Sequence, residues 1–533
     1  MPQLQEHQQR ANEKLEKTKA LLVYHSLGSG KTLTSLAAVE KELKENPDSK
    51  VLFIVPASLI NNVYKEIEYH KLDIPLDRIE VVSYEKAVKD KDKYINGGYK
   101  FVILDEAHRI RNPDRKVHNA VKQILQQADK RLMLTGTPMY NSPTDLAVLM
   151  NALAGRRVLP DTKKEFEARY IKKKEEEVPF VMKFFLGVKP GEIPVFEPDK
   201  QFENVVKRHI DYHNAIESAK EHFPEKEEVW ITVPMGKKQQ ELYNYYLGQI
   251  PGPLKWKIKL GLMPDKREAE KLNAFSSAIR QISNTTAAFV KDKEDVEQPK
   301  IEAAVASLKA HMQQVPNFRA IVYSNFLDSG LKPYSELLQK EGIPHAIFTG
   351  ELTQKKKKEI VEKFNKGEIP VLLVSSSGAE GLDLKGVKLV QILEPHFNKS
   401  KIDQVVGRAI RYKSHEHLPP EERKVKVEYY VSKVQPGLLD KLIGVGNPKS
   451  IDEYLWDVSR RKAEIFEQIK NFIAQMANSG EIPDEKDIET LKSVDPALLQ
   501  QKNKQRRSRF SIAIDPYFAY QLGMGMLQAL TRV

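Results

Sequence analysis

Short runs of apolar residues recur along the first part of the chain. They lie at 21–24, 50–55, 79–84, 101–105 and 131–135. Two of these runs are followed by segments whose residue pattern is typical of a helix, at 33–42 and 59–70. Continuously apolar runs are typical of strands that are buried on both faces, and their alternation with helices is typical of a doubly wound parallel sheet. The pattern therefore predicts an α/β lobe at the start of the chain.

The same alternation returns in the second half of the chain. The apolar runs there lie at 320–324, 346–350, 371–375 and 425–431. Between the two series only a strand at 229–233 and a helix at 237–247 are predicted, so this part is interpreted as helical protrusions. The predicted division is 1–153 for the first lobe, 154–300 for the protrusions, 301–435 for the second lobe and 436–533 for a helical C-terminal extension.

The predicted extension contains three distinct segments. A long amphipathic helix is expected at 453–476, with Ser450 as its N-cap. Residues 502–509 are basic and could contact phosphates, although a linker is an equal interpretation. Residues 517–530 are apolar and could form a packed final helix or dock a protein partner.

Composition narrows the functional classes. Lys and Arg exceed Asp and Glu by 12, which favours an anionic partner, with nucleic acid as the first choice. The absence of cysteine excludes disulfides, thiol nucleophiles and thiolate metal sites. There is no continuous apolar run of membrane-spanning length, and the N-terminus does not resemble a signal peptide. A cytoplasmic or nucleoplasmic protein that is neither secreted nor membrane-bound is expected.

Residues 25–32, His-Ser-Leu-Gly-Ser-Gly-Lys-Thr, join an apolar run to a predicted helix, which is the context of a phosphate-binding loop. Lys31 is expected to reach the β- and γ-phosphates of ATP, and the Thr32 hydroxyl to ligate Mg²⁺. One residue departs from the pattern, because His25 stands where the pattern has glycine. Backbone N–H groups of three residues are expected to bind phosphate oxygens. They belong to Gly28, Ser29 and Gly30.

Two adjacent acids end the run at 101–105 and lie at the edge of the sheet where ligands bind in open α/β proteins. Asp105 is expected to hold the Mg²⁺ ion together with Thr32, and Glu106 to polarise the attacking water. The alternative is a helix N-terminus that simply favours acids. Upstream of the loop, the Gln8 amide could bind an adenine edge, or it could be a solvated glutamine in a polar helix.

Residues 104–112, Leu-Asp-Glu-Ala-His-Arg-Ile-Arg-Asn, and 134–141, Leu-Thr-Gly-Thr-Pro-Met-Tyr-Asn, resemble the first motor lobe of the Snf-type ATPases of helicase superfamily 2. The resemblance implies two RecA-like lobes with ATP bound between them. It also implies translocation along one strand of duplex DNA and a DNA-dependent ATPase activity that uses ATP and Mg²⁺.

Two motifs of the second lobe extend the resemblance. Residues 375–384 form a small-residue loop, in which Gly381 is expected to approach the ATP cleft. Residues 404–411 resemble motif VI of the superfamily and place two arginines three positions apart, on one face of a helix. The resemblance then implies a role for each of four side chains. Arg408 and Arg411 are arginine-finger candidates, Gln404 would contact the nucleotide or the attacking water, and Asp383 would join the same network.

The motifs at 25–32 and 407–415 look more like the compact members of large DNA viruses and phages than like chromatin remodellers. We therefore expect a viral duplex-DNA translocase, which could be packaged in a virion. Three alternatives stay open. They are a strand-separating DNA or RNA helicase, the motor subunit of a viral transcription or restriction-type complex, and a non-catalytic DNA-binding or structural virion protein.

Overall fold

The computed structural model describes residues 3–26, 28–214, 220–379, 382, 384–397, 399–411 and 413–493. Within them, two parallel six-stranded sheets carry helices on their faces, which confirms the predicted α/β class with two RecA-like lobes. A two-stranded antiparallel ribbon lies between the lobes in sequence. The part of the chain that the structure describes contains no helix long and apolar enough to cross a membrane.

The first sheet has the strand order β3-β2-β4-β5-β1-β8. Its strands are β1 (Ala20–His25), β2 (Lys50–Val55), β3 (Ile79–Ser83), β4 (Tyr99–Asp105), β5 (Lys130–Thr135) and β8 (Ile210–His213). Its helices include α1 (Glu6–Thr18), α2 (Lys31–Glu45), α3 (Ile60–Tyr69), α4 (Tyr84–Lys89), α5 (Lys91–Asn96), α6 (Lys116–Gln126) and α7 (Thr144–Ala154). Successive residues of β1 enter different cores, with Leu21 and Val23 on one face and Leu22 and Tyr24 on the other. Burial on both faces explains why these strands are continuously apolar.

The segment that follows α7 is mixed rather than purely helical. Its elements are α8 (Lys163–Tyr170), β6 (Ile171–Glu175), α9 (Phe180–Phe185), β7 (Glu192–Phe196), α10 (Lys200–His209), β9 (Glu225–Pro234), α11 (Lys237–Gly248), α12 (Gly252–Leu260) and α13 (Lys266–Asn284). In this segment, β8 forms an edge of the first sheet and β9 an edge of the second, where it pairs with β14. The protrusions predicted at 154–300 therefore also contribute a strand to each sheet, and the domain boundaries themselves stay a prediction.

The second sheet has the strand order β11-β12-β10-β13-β14-β9. Its other strands are β10 (Ala320–Tyr323), β11 (His345–Phe348), β12 (Val371–Val374), β13 (Leu389–Ile392) and β14 (Lys424–Lys433). The remaining helices are α14 (Pro299–Gln314), α15 (Lys332–Lys340), α16 (Gln354–Asn365), α17 (Lys399–Ala409), α18 (Leu438–Leu442) and α19 (Ile451–Met476). All neighbouring strands of this sheet are parallel, so their carboxyl ends share one edge.

The long helix α19 connects the cores of the two halves. It begins at the predicted N-cap, where the Ser450 hydroxyl accepts a hydrogen bond from the backbone N–H of Glu453. Leu455, near its start, packs with α11 and α13, whereas Ile469 and Ile473 pack in the core of the first lobe. The helix therefore braces the two-lobed molecule.

Candidate functional site

The predicted phosphate loop lies between the end of β1 at His25 and the start of α2 at Lys31. Gly28 and Gly30 have φ values of 83° and 75°, in the left-handed region that glycine adopts at little cost. The Lys31 ammonium donates to two carbonyl oxygens, those of His25 at 3.1 Å and Ser26 at 3.3 Å. The lysine is thus held across the loop that precedes it.

The helix α1 lies against this loop. Gln8 is buried, its Nε2 donates to the carbonyl of Gly30 at 3.1 Å, and its Oε1 accepts from the backbone N–H of Gln5. A Cβ atom at Gly30 would lie 2.5 Å from the Gln8 Nε2 atom, so a side chain at this position would displace the Gln8 amide. His7 Nε2 lies 2.8 Å from the carbonyl oxygen of Ser29. Gln8 is therefore not a solvated side chain, and its contact with adenine stays a prediction.

Asp105 is the last residue of β4 and Glu106 follows it, at the same edge of the sheet as the loop. The hydroxyl of Tyr84 donates to the carbonyl oxygen of Asp105 at 2.5 Å. Burial, and then the charge of Glu106, raises the pKa of Asp105 to about 6. Burial lowers the pKa of Lys31, which the charges of both acids partly offset. The Asp105 carboxylate and the Thr32 hydroxyl offer hard oxygen donors, which fit Mg²⁺.

Glu106 is held in an uncommon conformation. Its φ of 51° lies in the left-handed region. Non-glycine residues that adopt this conformation are concentrated at functional sites. Its Oε2 lies 3.3 Å from Nδ1 of His108, and that nitrogen lies 3.0 Å from the Thr135 hydroxyl. Burial, and then the charge of Arg111, lowers the pKa of His108 to about 4, so the ring is neutral at physiological pH. The contact with Glu106 is therefore not an ion pair between two charged groups.

The second lobe reaches this site through α17. The Gln404 amide donates to the hydroxyl of Tyr140 at 3.1 Å and so connects residues 264 positions apart. Arg408 donates to the carbonyl of Leu382 at 3.5 Å, and Arg411 lies two residues beyond the end of α17. The structure thus places Gln404 next to the first lobe, and the finger roles of the two arginines stay a prediction.

Four predicted features lie outside the described residues. They are Gly381, Asp383, the basic stretch 502–509 and the apolar stretch 517–530. The roles assigned to them from the sequence stay predictions.

One feature beside the acids was not assigned from the sequence. A cavity of about 270 Å³ is lined by the arginine side chains of the segment that follows Glu106, namely Arg109, Arg111 and Arg115. The cavity wall also contains Asp145 and Asp161, and both have other partners. Asp145 accepts from the backbone N–H groups of residues 140–142, and Asp161 pairs with Arg157. Three arginines within seven positions are the sequence signal that could have indicated this cavity.

Arg111 connects this cavity to the acids. Its guanidinium donates to the carbonyl oxygen of His108 at 3.0 Å and lies 4.5 Å from the centre of the Tyr140 ring. His108 in turn contacts Glu106. An anion bound to Arg111 in the cavity would therefore be linked to Glu106 through two contacts, that of Arg111 with His108 and that of His108 with Glu106.

Three family models match the chain in succession. They are the type III restriction enzyme res subunit over residues 1–72, the SNF2-related domain over 75–300 and the helicase conserved C-terminal domain over 300–413. Together these matches extend from α1 to just beyond α17 and include the phosphate loop, the two acids and residues 404–411.

Relatives are found in large DNA viruses. The "Putative ATP-dependent RNA helicase" of Acanthamoeba polyphaga mimivirus is 32% identical, over 88% of this chain and 96% of the relative. A "Termination factor NPH-I homolog" of African swine fever virus is 25% identical, over 87% of this chain and 76% of the relative. Nucleoside triphosphatase I of Melanoplus sanguinipes entomopoxvirus is 22% identical, over 86% of this chain and 76% of the relative. The chain therefore belongs to the SNF2-type ATPases of helicase superfamily 2, as a relative of those encoded by large DNA viruses.

Proposed function

We propose that this ATPase is a translocase that couples ATP hydrolysis between its two lobes to movement along duplex DNA. The observation that carries the proposal is the cavity with Arg109, Arg111 and Arg115 beside the catalytic segment. Guanidinium groups suit the backbone phosphates of nucleic acid, which contribute affinity without reading sequence. Such binding agrees with a motor that moves along any sequence.

In this proposal the first lobe binds ATP. The amides of residues 28–30 and the Lys31 ammonium bind the phosphate oxygens, and Glu106 orients the attacking water. When bound by Asp105 and Thr32, Mg²⁺ supplies positive charge that offsets the charge of the phosphates. Arg408 on α17 and Arg411 just beyond its end come from the second lobe, so hydrolysis requires the two lobes to close.

The coupling runs through Arg111 and His108. A phosphate bound in the cavity would hold Arg111, which donates to the backbone carbonyl of His108, and the ring of His108 contacts Glu106. Nucleic acid would then stabilise the conformation in which Glu106 orients water. Stimulation of ATP hydrolysis by DNA follows from this arrangement.

The first experiment measures ATP hydrolysis at fixed salt with no polynucleotide, single-stranded DNA, duplex DNA or RNA. For a duplex-DNA translocase, we expect ATP hydrolysis to be stimulated strongly by duplex DNA alone. Stimulation confined to single strands or to RNA would contradict duplex translocation and favour strand separation. An absence of turnover under all four conditions would favour the non-catalytic interpretation.

The cavity itself is tested with Arg115→Ala. Loss of one phosphate contact should weaken DNA affinity at all sequences alike and lower the salt slope of binding by about 1. Lys65→Ala on α3 is the matched control, because Lys65 is also an exposed cation but lies away from the cavity. Equal effects of the two substitutions would indicate a general charge effect and would refute a binding role for the cavity.

The names of the relatives favour two further candidates. The mimivirus relative carries the name of an RNA helicase and the African swine fever virus relative that of a termination factor homologue. Strand displacement on DNA and RNA duplexes would support a helicase. Stoichiometric co-purification with a polymerase would support a motor subunit of a transcription complex.

A further inference from the structure

The first residue of the phosphate loop is a histidine rather than the glycine of the usual pattern. The side chain of His25 is fully buried, and its Nε2 lies 2.7 Å from Oδ1 of Asp211, which is also fully buried. The two residues are 186 positions apart and meet because β8 runs beside β1. The imidazole therefore connects the loop to the neighbouring strand, which a glycine could not do.

Asp211 is the buried centre of a hydrogen-bonding network. Arg10 on α1 donates two hydrogen bonds to its carboxylate, from Nε at 2.9 Å and from Nη2 at 3.0 Å. Burial raises the pKa of Asp211, but hydrogen bonds from His25 and Arg10 outweigh it and hold the pKa below its usual value. The carboxylate is ionised at neutral pH and can only accept, so Nε2 of His25 is the donor.

The His25 ring is neutral. Its other nitrogen, Nδ1, has no hydrogen-bond partner among the described residues, and a charged ring would leave a buried N–H without an acceptor. Burial accordingly lowers the pKa of His25. His7 and His213 lie close to this ring, but over the ranges described no three histidine or acidic side chains are arranged to hold a metal ion. The cluster is a hydrogen-bonding network.

Helix α1 orients the loop from the same network. His7 and Gln8 bond the carbonyl oxygens of Ser29 and Gly30, and the His7 ring stacks on His213 with centroids 3.7 Å apart. The C=O and N–H groups of a trans peptide point in opposite directions. The amides of Gly30 and Lys31 therefore face away from α1, as binding of an anion requires.

We propose that Asp211, acting through His25, is a positioning residue for ATP. The network of Arg10, Asp211 and His25 keeps the phosphate loop in the conformation that receives the triphosphate. The inference rests on the proposed assignment of residues 25–32 as the ATP-binding loop. The same pair also ties the loop to β8, the last strand of the first sheet before β9 joins the second.

The test compares three variants by steady-state ATP hydrolysis. His25→Leu removes the donor while keeping an apolar side chain of similar size, Asp211→Asn removes the charge, and His25→Gln keeps an N–H donor near the position of Nε2. We expect the first two to raise KM for ATP about tenfold, with kcat changed by less than about threefold. His25→Gln should stay within about twofold of the parent KM. An equal rise in KM for His25→Gln and His25→Leu would overturn the role of the donor.

Asp452→Asn is the matched control. Asp452 is a fully buried acid that pairs with Lys300 at 2.7 Å and accepts the backbone N–H of Ser432, far from the loop in the fold. It should lower Tm without changing KM for ATP. The other outcome is that His25→Leu and Asp211→Asn lower Tm but leave KM for ATP, measured well below Tm, unchanged. The network would then be merely structural and the proposal would fail. Persistent hydrolysis by Lys31→Ala would instead refute the loop as the ATP site.

Discussion

At the scale of single residues, the two adjacent acids of the site occupy different environments. The Asp105 carboxylate is largely buried beside a second acid, and its pKa is raised to about 6. The Glu106 side chain is about one-third exposed, and this residue has a left-handed backbone and contacts a neutral histidine. These environments suit a cation ligand at Asp105 and a water-orienting carboxylate at Glu106.

The role of Glu106 is tested with Glu106→Gln. The amide keeps the shape of the side chain but cannot act as a base, so we expect hydrolysis to fall about 100-fold or more while ATP still binds. Phosphate release and binding of a fluorescent ATP analogue measure the two effects. Glu68→Gln is the control, because Glu68 is an exposed acid on α3. Near-normal hydrolysis by Glu106→Gln would contradict the assignment.

The raised pKa of Asp105 has a consequence for stability. Burial disfavours the charged form of Asp105. The free energy of unfolding therefore falls as pH rises from 3.8, the ordinary pKa of this carboxyl, through about 6, its pKa in the folded state. Asp105→Asn should therefore raise the free energy of unfolding at pH 7.5 by about 1–2 kcal/mol. The gain should shrink as pH falls through this window, while ATP hydrolysis is lost at every pH.

Thermal unfolding of the parent and Asp105→Asn, in EDTA at pH 7.5 and pH 5, measures this effect. EDTA is needed because a bound divalent cation would itself stabilise the parent carboxylate. A variant that is less stable than the parent at pH 7.5 would contradict the expected burial penalty.

At the scale of elements, α19 shows how one helix serves two cores. Its first turns pack Tyr454 and Leu455 against α11 and α13, and its last turns place Ile465, Ile469 and Ile473 in the first lobe. The isoleucines recur every four residues, which keeps them on one face of the helix. Stability of the first lobe therefore depends on a helix that lies beyond the second lobe in sequence.

This dependence is tested with Ile469→Ala. The side chain is fully buried, so its truncation should lower the free energy of unfolding by about 2–4 kcal/mol through lost burial and a residual cavity. Glu464→Ala, on the exposed side of the same helix, should change it by less than about 0.5 kcal/mol. Chemical denaturation measures both. Equal stability of the two variants would contradict packing of α19 on the first lobe.

At the scale of the whole molecule, the contact between Tyr140 and Gln404 joins the two lobes beside the site. Tyr140 also lies under the Arg111 guanidinium and parallel to the His108 ring, at 6.3 Å between ring centres. One tyrosine thus contacts the second lobe, the arginine cavity and the neighbourhood of Glu106. We expect it to transmit lobe closure to Glu106, the proposed catalytic residue.

Tyr140→Phe tests this connection, because it removes the hydroxyl while keeping the ring. We expect DNA-stimulated kcat to fall several-fold, on the order of one lost hydrogen bond, with KM for ATP nearly unchanged. Tyr69→Phe on α3 removes a hydroxyl from an exposed tyrosine and serves as the control. A rise in KM with unchanged kcat would show that Tyr140 affects ATP binding and not closure.

The strands and the chemical motifs were predictable because both are local. A buried parallel strand is continuously apolar, so the runs at 50–55 and 101–105 identify β2 and β4 from sequence alone. The loop at 25–32 and the acids Asp105 and Glu106 follow from residue type and spacing. The edge strand β9 was only partly predicted, at 229–233, because its first half is a run of charged residues with no apolar pattern.

The contacts that organise the site join distant parts of the chain. His25 meets Asp211 across 186 positions, Gln404 meets Tyr140 across 264, and α19 returns to the core of the first lobe. Residue type and spacing determined where the strands, the phosphate loop and the acids lie. Only the tertiary structure decided which residue faces His25 and where the arginines of 109–115 converge. The pairing of β8 with β1 brings Asp211 to His25, and the packing of the segment after β4 against residues 141–148 forms the cavity, because contacts between distant segments are not set by local pattern.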